Sequence, residues 1–389
     1  MYKIRTYNAI SSKGLERFPA DSYQVSSECA DPVGVLLRSQ KLHSEVLPES
    51  VVAVARAGAG TNNIPTADYT EQGIVVFNTP GANANAVKEL IVASLLMGSR
   101  DIYGGMNYVQ GLTEITDSGE MGQLLEKEKK RFAGGEVQGK TLGVIGLGAI
   151  GSMIANLALE LGMDVVGYDP AISVEAAWQL SSNVERMDSI EALLGRSDFI
   201  TLHVPAIAAT KHLINSKTLS IMKSGAKILN FAREEIVSSA DVVEALDKGV
   251  ISGYITDFPA PELLGRKDVL LMPHIGASTA EAEENCAVMA ANQLMDFLEN
   301  GNILNSVNYP QIKMARNGGT RITFTNKNVP KVLGNVLSIL ADSNLNVVDM
   351  VNKSRDEIAY NIIDIEGDFN DSLQAKIAEV EGVVQVRII

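Results

Sequence analysis

The sequence predicts an α/β protein in which two parallel-sheet domains precede a small βαββαβ module. Short apolar segments alternate with helical patterns over residues 1–310, a glycine-rich turn near residue 146 follows one such segment, and the last part of the chain is strand-rich. Strands that alternate with helices are typical of βαβ units and therefore of parallel sheets.

The first region contains four predicted strands and a long helix. The strands are at residues 2–7, 33–37, 51–55 and 74–77, and apolar spacing predicts the helix over 84–103. The segment 117–130 is polar and is predicted to be a loop.

A second series of strands is predicted at residues 143–146, 164–168, 199–204, 226–230, 252–257 and 269–272, with short helices between them. A long helix follows over 280–300. Residues 309–318 contain Pro, Asn and Gly and are predicted to be a linker.

The last module has predicted strands at residues 321–325, 345–351, 358–365 and 383–388, and helices at 329–341 and 372–380. The order βαββαβ predicts a ferredoxin-like sandwich. This module has no obvious nucleophile or metal-ligand set, so we expect it to regulate or oligomerise rather than catalyse.

Composition excludes several classes of function. The net charge of −14 argues against a nucleic-acid-binding surface. The two cysteines, Cys29 and Cys286, are too few for a disulfide framework, and no Cys/His cluster has metal-ligand spacing. No apolar run is long enough to span a membrane, and the N-terminus lacks a signal-peptide pattern. We therefore expect a cytoplasmic protein without a metal, a membrane or a nucleic-acid partner.

The glycine-rich turn contains Gly146, Gly148 and Gly151 in a G-x-G-x-x-G pattern, and Ala149 and Ile150 open the helix behind it. The first glycine permits the tight turn, the second lets the backbone approach a pyrophosphate, and the third lets helix and strand pack closely. Strand, helix and next strand follow in order, which favours a dinucleotide site over an ordinary glycine-rich turn.

Asp169 stands at the end of the strand that follows this helix. A carboxylate in that place accepts a hydrogen bond from the ribose 2′-hydroxyl and repels a 2′-phosphate. The sequence therefore predicts NAD as the cofactor rather than NADP.

Three later segments end strands and carry groups suited to dehydrogenation: 230–233, 257–262 and 272–279. Arg233 can hold a carboxylate by two parallel hydrogen bonds. His274 can exchange a proton with a substrate oxygen, and Glu262 can orient the imidazole. These groups favour oxidation of an alcohol to a ketone. His203 ends a buried strand and is interpreted as a packed residue or part of the cofactor-pocket wall, whereas His43 and His212 are interpreted as surface residues.

Together these segments resemble the D-2-hydroxyacid dehydrogenase family, as do residues 56–63 and 77–80. The resemblance implies a Rossmann-like NAD domain over 93–284 and a discontinuous, flavodoxin-like substrate domain over 1–92 and 285–312. It implies that Arg233, Glu262 and His274 are the catalytic trio. It also implies further cofactor contacts, from His203, Phe231, Ala232, Arg233, Asp257, His274 and Gly276.

Residues 318–389 resemble an ACT domain, on the segments 325–330 and 345–346. This implies an amino-acid effector that Asn328 and Asn346 would bind; the alternative is that the module only pairs subunits. Members of the family with such a domain oxidise 3-phosphoglycerate at the start of the phosphorylated serine pathway. We expect a homodimer, the common default for oligomers, or a homotetramer, which an ACT module allows. In that comparison the substrate is bound by residues Arg38, Ser39, Arg56, Ala57 and Gly58. The alternative for the Arg38 segment is a solvated basic loop.

Two departures from the family pattern concern the catalytic trio. Glu234, followed by Glu235, stands where the family usually has Gly after the catalytic Arg. An alignment on Phe258 would place the catalytic Glu at Pro261, whereas an alignment on Asp257 places it at Glu262. Other functions stay open: reduction of 2-oxoglutarate, hydroxypyruvate or glyoxylate, a non-catalytic NAD sensor, or an amino-acid sensor on an inactive dehydrogenase.

Overall fold

The structure, a computed structural model, describes residues 1–367 and 371–389; residues 368–370 of the predicted last module lie outside it. The chain divides into two compact units, one made of residues 1–83 with 279–389 and the other of residues 84–278. Within the described part, no helix combines the length and the apolar character needed to cross a membrane.

The first unit begins with a five-stranded parallel sheet. Its elements are β1 (Tyr2–Thr6), α1 (Ser12–Leu15), β2 (Tyr23–Ser26), β3 (Gly34–Leu37), β4 (Ala53–Arg56), α2 (Thr66–Glu71) and β5 (Val75–Phe77). The strand order β2-β1-β3-β4-β5 is flavodoxin-like, as predicted. Every residue of β3 and β5 is buried, as expected where helices or loops cover both faces of a parallel sheet.

The second unit carries a seven-stranded parallel sheet. Its elements are α3 (Ala84–Ser99), α4 (Ile102–Gln110), α5 (Ser118–Glu128), β6 (Thr141–Ile145), α6 (Ala149–Glu160), β7 (Asp164–Tyr168), α7 (Val174–Gln179), β8 (Glu185–Arg186), α8 (Ile190–Arg196), β9 (Phe199–Leu202), α9 (Ser216–Ser220), β10 (Ala226–Asn230), α10 (Ser239–Asp247), β11 (Ile251–Thr256) and β12 (Val269–Leu271). The order β12-β11-β10-β9-β6-β7-β8 confirms the Rossmann-like prediction. The strand order reverses between β6 and β9, the place where ligands bind in such sheets.

Two predictions for the start of this unit were wrong. The helix expected over 84–103 ends at Ser99, and a new helix begins after Asp101, whose carboxylate accepts a hydrogen bond from the Gly104 N–H at 2.9 Å. The loop expected over 117–130 is mostly helix α5, capped in the same way by Asp117. Neither α4 nor α5 buries a residue, so apolar periodicity gave little indication of them.

The C-terminal part of the first unit forms a ferredoxin-like sandwich, as predicted. The long helix α11 (Ala280–Asn300) precedes the sandwich, which comprises β13 (Thr320–Lys327), α12 (Val332–Asp342), β14 (Asn346–Arg355), β15 (Ile358–Glu366), α13 (Asp371–Ala378) and β16 (Val383–Ile388). The sheet is antiparallel, in the order β14-β15-β13-β16. One face, which includes Phe324 and Ile363, shares a core with residues of α12 and α13.

The other face of this sheet packs against α11. Tyr360 and Ile362 share one core with Phe297. The guanidinium of Arg387 lies 4.3 Å from the centre of the Phe297 ring and donates to the carbonyl of Phe297 at 3.3 Å. Arg321 is fully buried and donates to the carbonyl of Asn300 at 2.9 Å. Cationic side chains at the C-terminus of a helix stabilise its free carbonyls and its dipole.

Arg321 also forms a buried two-pronged ion pair with Asp364, with nitrogen–oxygen distances of 2.6 and 2.8 Å.

The segment 309–318 does not behave as the predicted linker, because Tyr309, Ile312 and Met314 are buried in or beside the same core. The ACT-like module is therefore continuous with the packing of α11 rather than tethered to it.

Candidate active site

The glycine-rich turn between β6 and α6 has the geometry of a phosphate-binding loop. Gly146 has a φ of +91°, and a Cβ there would lie 2.5 Å from the carbonyl oxygen of His203. A Cβ on Gly151 would lie 1.9 Å from the carbonyl oxygen of Gly146, whereas a Cβ on Gly148 would meet nothing within 4 Å. The first and third glycines are therefore required by the fold, and the second faces open space where a ligand can approach.

Ala149 and Ile150 form the first turn of α6, so their backbone N–H groups point out of the helix N-terminus, where an anion can bind. Asp169 follows β7, and its carboxylate accepts hydrogen bonds from the N–H groups of Leu147 at 2.8 Å and Ala171 at 2.9 Å. Asp169 thus fixes the glycine loop itself. A carboxylate accepts about four hydrogen bonds, so it keeps capacity for a ribose hydroxyl.

A cleft of about 330 Å³ lies beside this aspartate in the chain, lined among others by Tyr168, Ile190 and Leu213. None of these three residues is singled out by the sequence, because none carries a group that marks a binding site. The rest of its wall is largely polar or charged and includes Glu191, Lys211 and Asn215, so the cleft is of mixed character.

His203 backs the glycine loop from the end of β9. Its Nε2 is 2.9 Å from the hydroxyl of Thr201, and burial lowers the pKa of His203 to about 3. The imidazole is therefore neutral at physiological pH, which fits the predicted wall of the cofactor pocket and not an acid–base role.

The turn from residue 231 to Arg233 is folded by Asn230, a fully buried residue that sequence reasoning did not single out. The amide of Asn230 donates to the carbonyl of Arg233 at 2.9 Å and accepts from the N–H of Ala232 at 3.2 Å. Phe231 is buried, whereas the guanidinium of Arg233 is exposed and donates to the carbonyl of Ala232. No ion pair joins Arg233 to Glu234 or Glu235 within the described residues, so the two extra acids leave the guanidinium free for a substrate carboxylate.

Asp257 holds the loop that carries His274. Its buried carboxylate accepts hydrogen bonds from the N–H groups of Ile275 at 2.7 Å and Gly276 at 2.6 Å. His274 itself has a φ of +56°, a conformation that a residue other than glycine rarely adopts. The two charge-assisted hydrogen bonds to Asp257 hold the two residues that follow His274, so Asp257 positions the His274 loop through its backbone.

The exposed ring of His274 lies against Phe258, with ring centres 4.9 Å apart. Glu262 lies in the exposed 3₁₀ turn Pro261–Leu263. In the part of the chain that the structure describes, no hydrogen bond or ion pair joins Glu262 to His274. The structure thus gathers His274, Phe258 and Asp257, and the orienting role of Glu262 stays a prediction.

The residues predicted to bind substrate lie together in the first unit, at the ends of β3 and β4. The Nε of Arg56 donates to the carbonyl of Arg38 at 3.1 Å, and the N–H of Ala57 donates to the carbonyl of Leu37 at 2.8 Å. Gly58 has a φ of +157°, and a Cβ there would lie 2.4 Å from a guanidinium nitrogen of Arg56. Two guanidinium groups on adjacent strand ends suit an anionic ligand.

Neighbouring side chains fix this loop. The amide oxygen of Asn8 accepts hydrogen bonds from the N–H groups of Ser39 at 3.0 Å and Gln40 at 2.7 Å. The guanidinium of Arg38 forms an ion pair with Glu283 of α11 at 2.6 Å, with both side chains more than a third exposed. An anionic substrate at Arg38 must therefore compete with, or share the guanidinium with, Glu283.

The two asparagines predicted to bind an effector lie at opposite ends of the ACT-like sheet. Asn346 pairs with Glu366 at one end, and Asn328 follows the end of β13 that pairs with Ile358. The strand between these ends rises about 3.3 Å per residue, so the two side chains are far too distant to hold one small molecule within one chain. The two asparagines therefore do not meet within one chain, and their role in binding an effector stays a prediction.

No group of three or more His, Cys, Asp or Glu side chains in the described residues is arranged to hold a metal ion. The second unit does offer a glycine cradle open at Gly148, an acidic residue at the end of β7 and a histidine after β12. These features fit a dinucleotide and a proton-transfer group on one sheet edge.

Comparisons with known proteins agree with this chemistry. The family model described as "D-isomer specific 2-hydroxyacid dehydrogenase, NAD binding domain" matches residues 105–276. The chain is 32% identical over 351 residues to D-3-phosphoglycerate dehydrogenase of Haemophilus influenzae, covering 87% of this chain and 81% of that protein. It is 31% identical over 386 residues to D-3-phosphoglycerate dehydrogenase of Escherichia coli K12, covering 95% and 90%. The NAD+-bound 3-phosphoglycerate dehydrogenase of Entamoeba histolytica matches with a TM-score of 0.61 and 26% identity, over 80% of this chain and 99% of that one.

Proposed function

Because this chain belongs to the family of D-isomer-specific 2-hydroxyacid dehydrogenases, we propose that it oxidises 3-phospho-D-glycerate to 3-phosphohydroxypyruvate. This would make it the first enzyme of the phosphorylated route to serine. The observation that carries the proposal is the identity of 31–32% to two D-3-phosphoglycerate dehydrogenases over 81% and 90% of their lengths.

NAD, when bound, accepts the hydride that leaves the substrate carbon. Gly146, Gly148 and Gly151 with the first turn of α6 hold its pyrophosphate, and Asp169 binds a ribose hydroxyl. His203, neutral because of burial, lines the pocket without taking a proton.

The chain's own groups perform the proton transfer and the binding. The neutral imidazole of His274 takes the proton from the substrate hydroxyl, and Arg233 binds the neighbouring carboxylate. Glu262 orients the imidazole and stabilises the imidazolium that forms. Asp257 holds the His274 loop through two backbone N–H groups. Arg38 and Ser39, with the segment from Arg56 to Gly58, bind the phosphate.

We assign the substrate domain to residues 1–92 and 285–312, the NAD domain to 93–284 and the regulatory module to 318–389. The helices α4 and α5 bury no residue, and α4 exposes Tyr103, Met106 and Val109. These apolar side chains support a homodimer or homotetramer, since a second copy would cover them. An amino-acid effector at Asn328 and Asn346 then requires two copies of the module. The two free, buried cysteines are consistent with a cytoplasmic location.

The test is steady-state NADH formation with 3-phosphoglycerate, run beside the reverse reaction with 3-phosphohydroxypyruvate, 2-oxoglutarate, hydroxypyruvate and glyoxylate. We expect the phosphorylated pair to have the highest kcat/KM. Arg38→Met should raise the KM for 3-phosphoglycerate by about tenfold or more, whereas Lys41→Met, which removes an exposed charge nearby, should leave it nearly unchanged. If the two substitutions change the KM equally, Arg38 is not the residue that binds the substrate phosphate.

Better turnover of a non-phosphorylated keto acid would support the dehydrogenase reaction but contradict 3-phosphoglycerate as the substrate. Tight NAD binding with no turnover of any of these compounds would instead support a non-catalytic NAD sensor.

A further inference from the structure

A groove of about 950 Å³ lies within the first unit, between α2, the segment that follows α11, and the ACT-like sheet. Its wall includes Thr66–Glu71 residues on one side and the turn between β14 and β15 on the other. None of its residues belongs to the glycine loop, the His274 loop or the Arg38 loop. Binding sites for small organic molecules are typically of this size.

Part of the wall is aliphatic. Val307, Val329, Ile358 and Val384 line the groove, and Val329 is 51% exposed. A ligand that covers these side chains removes apolar surface from water, which favours binding.

The remaining wall carries charges of both signs. Lys327 and Arg355 are cationic, and Glu71, Asp356 and Glu357 are anionic, so the lining has a net charge of −1 (two positive and three negative side chains). A simple anion such as phosphate is therefore disfavoured. A zwitterion, with one group of each sign, can satisfy both sets.

The cationic groups are available for a ligand. The guanidinium of Arg355 is held by hydrogen bonds to the carbonyls of Ser306 at 3.2 Å and Tyr309 at 3.5 Å, and its nearest carboxylate, Asp356, is 3.8 Å away. Lys327 forms no ion pair with any residue that the structure describes.

We propose that this groove binds a free α-amino acid with a large apolar side chain. The α-carboxylate is held by Lys327 and Arg355, the α-ammonium by Glu71 and Glu357, and the side chain lies on the aliphatic wall. This site differs from the pair Asn328 and Asn346, which lie at opposite ends of the sheet.

Asn328 has a different role in this site. Its amide donates to the carbonyl of Asp356 at 3.0 Å, and its N–H donates to the carbonyl of Glu357 at 2.8 Å. Asp356 has a φ of +52°, so the turn needs such support. Asn328 is thus a positioning residue for the charged turn of the groove.

The groove is also connected to the Arg38 loop through α2. The hydroxyl of Thr70 accepts a hydrogen bond from Asn308 at 3.0 Å inside the groove wall. Just before α2, the amide of Asn63 donates to the carbonyls of Gln40 at 2.7 Å and Arg38 at 3.4 Å. A ligand that shifts α2 therefore shifts the loop that carries Arg38. This second step rests on the proposed function, which assigns the substrate phosphate to Arg38.

Binding is tested by calorimetric titration of the full chain with L-phenylalanine and L-leucine. We expect saturable binding of one molecule per chain. The analogues 3-phenylpropanoate, which lacks the ammonium, and 2-phenylethylamine, which lacks the carboxylate, should bind at least tenfold more weakly. Lys327→Met and Glu71→Gln should each weaken binding of the amino acid at least tenfold.

The matched control is Lys376→Met, an exposed lysine on α13 outside the groove lining, which should bind like the parent. The proposal is overturned if neither amino acid binds, if the analogues bind equally well, or if Lys327→Met and Glu71→Gln have no effect.

The regulatory step is tested separately by kinetics. With saturating amino acid, the KM for 3-phosphoglycerate should change at least threefold, and the change should be lost in Lys327→Met. Binding without a change in KM would overturn the coupling to Arg38. If the chain binds the amino acid but does not turn over 3-phosphoglycerate, the groove site is supported and the proposed substrate is wrong.

Discussion

The glycine loop offers a pair of substitutions that are chemically identical and should have opposite effects. In Gly148→Ala the new methyl group meets nothing within 4 Å, and the φ of −68° suits alanine. In Gly151→Ala it would lie 1.9 Å from the carbonyl oxygen of Gly146, more than 1 Å closer than ordinary contact, so α6 must move away from β6. The first variant should therefore be about as stable as the parent, and the second should be destabilised.

The magnitudes follow from these distances. Gly148→Ala should change the free energy of unfolding by less than about 1 kcal/mol, and it should raise it if anything, because alanine restricts the unfolded chain. Gly151→Ala should lower it by about 1–3 kcal/mol or more, as overpacking does. For NAD binding, Gly148→Ala should have the larger direct effect, because its methyl group occupies the space that the pyrophosphate needs. That variant should bind NAD at least about tenfold more weakly, a loss of about 1.4 kcal/mol.

Urea unfolding with and without NAD measures both effects at once. NAD at 100 times the parent Kd should stabilise the parent by about 2.7 kcal/mol and a variant with tenfold weaker binding by about 1.4 kcal/mol. Gly122→Ala is the matched control, because Gly122 on α5 also faces open space and is far from the loop in sequence. If Gly148→Ala binds NAD as tightly as the parent and the control, the loop does not hold the pyrophosphate and is an ordinary turn.

The remaining predictions concern the proton-transfer group, the ribose contact, a pH effect and the buried ion pair. His274→Ala should lower turnover by about 10²–10⁴ with NAD affinity nearly unchanged; surviving turnover would reject His274 as the acid–base group. Asp169→Ala should weaken NAD binding and relax discrimination against NADP, and an unchanged cofactor preference in a side-by-side titration would exclude its contact with the ribose. Because burial lowers the pKa of His203 from 6.5 to about 3, the unfolded state binds the proton first. The free energy of unfolding should therefore fall by at most about 1.4 kcal/mol per pH unit as the pH drops from 6.5 towards 3, and His203→Asn should flatten this slope. Arg321→Met should cost about 3–5 kcal/mol in urea unfolding, and adding Asp364→Leu should restore part of it; a double variant as unstable as the sum would argue against a coupled pair.

Much of the fold was predictable because apolar strands and helical spacing are strong local signals. The errors lie where burial does not dictate the pattern. Helix α5 is mostly polar, its three apolar residues Met121, Leu124 and Leu125 are only partly buried, and it is capped by Asp117, so its sequence resembles that of a loop. Strand β2 (Tyr23–Ser26) was missed because it is a short edge strand of which only Tyr23 is buried.

The segment 309–318 shows the opposite error. Its Pro, Asn and Gly residues suggested a linker, but Tyr309, Ile312 and Met314 are buried by packing on the sheet and on α11. Composition cannot indicate such burial, because it depends on a surface formed by residues far along the chain.

At the site, the glycine loop and the histidine loop were predictable from residue type and strand position. The supporting groups were not, because they act through the backbone. Asn230 folds the turn before Arg233, and Asp257 holds the N–H groups that follow His274. That Asn328 and Asn346 lie at opposite ends of the ACT-like sheet follows from the strand register, which the sequence does not give.

The ACT-like sheet, buried by helices on one face and by α11 on the other, has a consequence for how this protein can vary. A module joined only by a flexible linker can be exchanged between proteins. Removing the ACT-like module here would expose Phe297 to solvent and remove the cationic groups that cap the end of α11. Substitutions at Arg321, Asp364 and Arg387 should therefore be tolerated only in combination with changes in α11. We therefore expect the ACT-like module and α11 to accumulate substitutions together rather than independently.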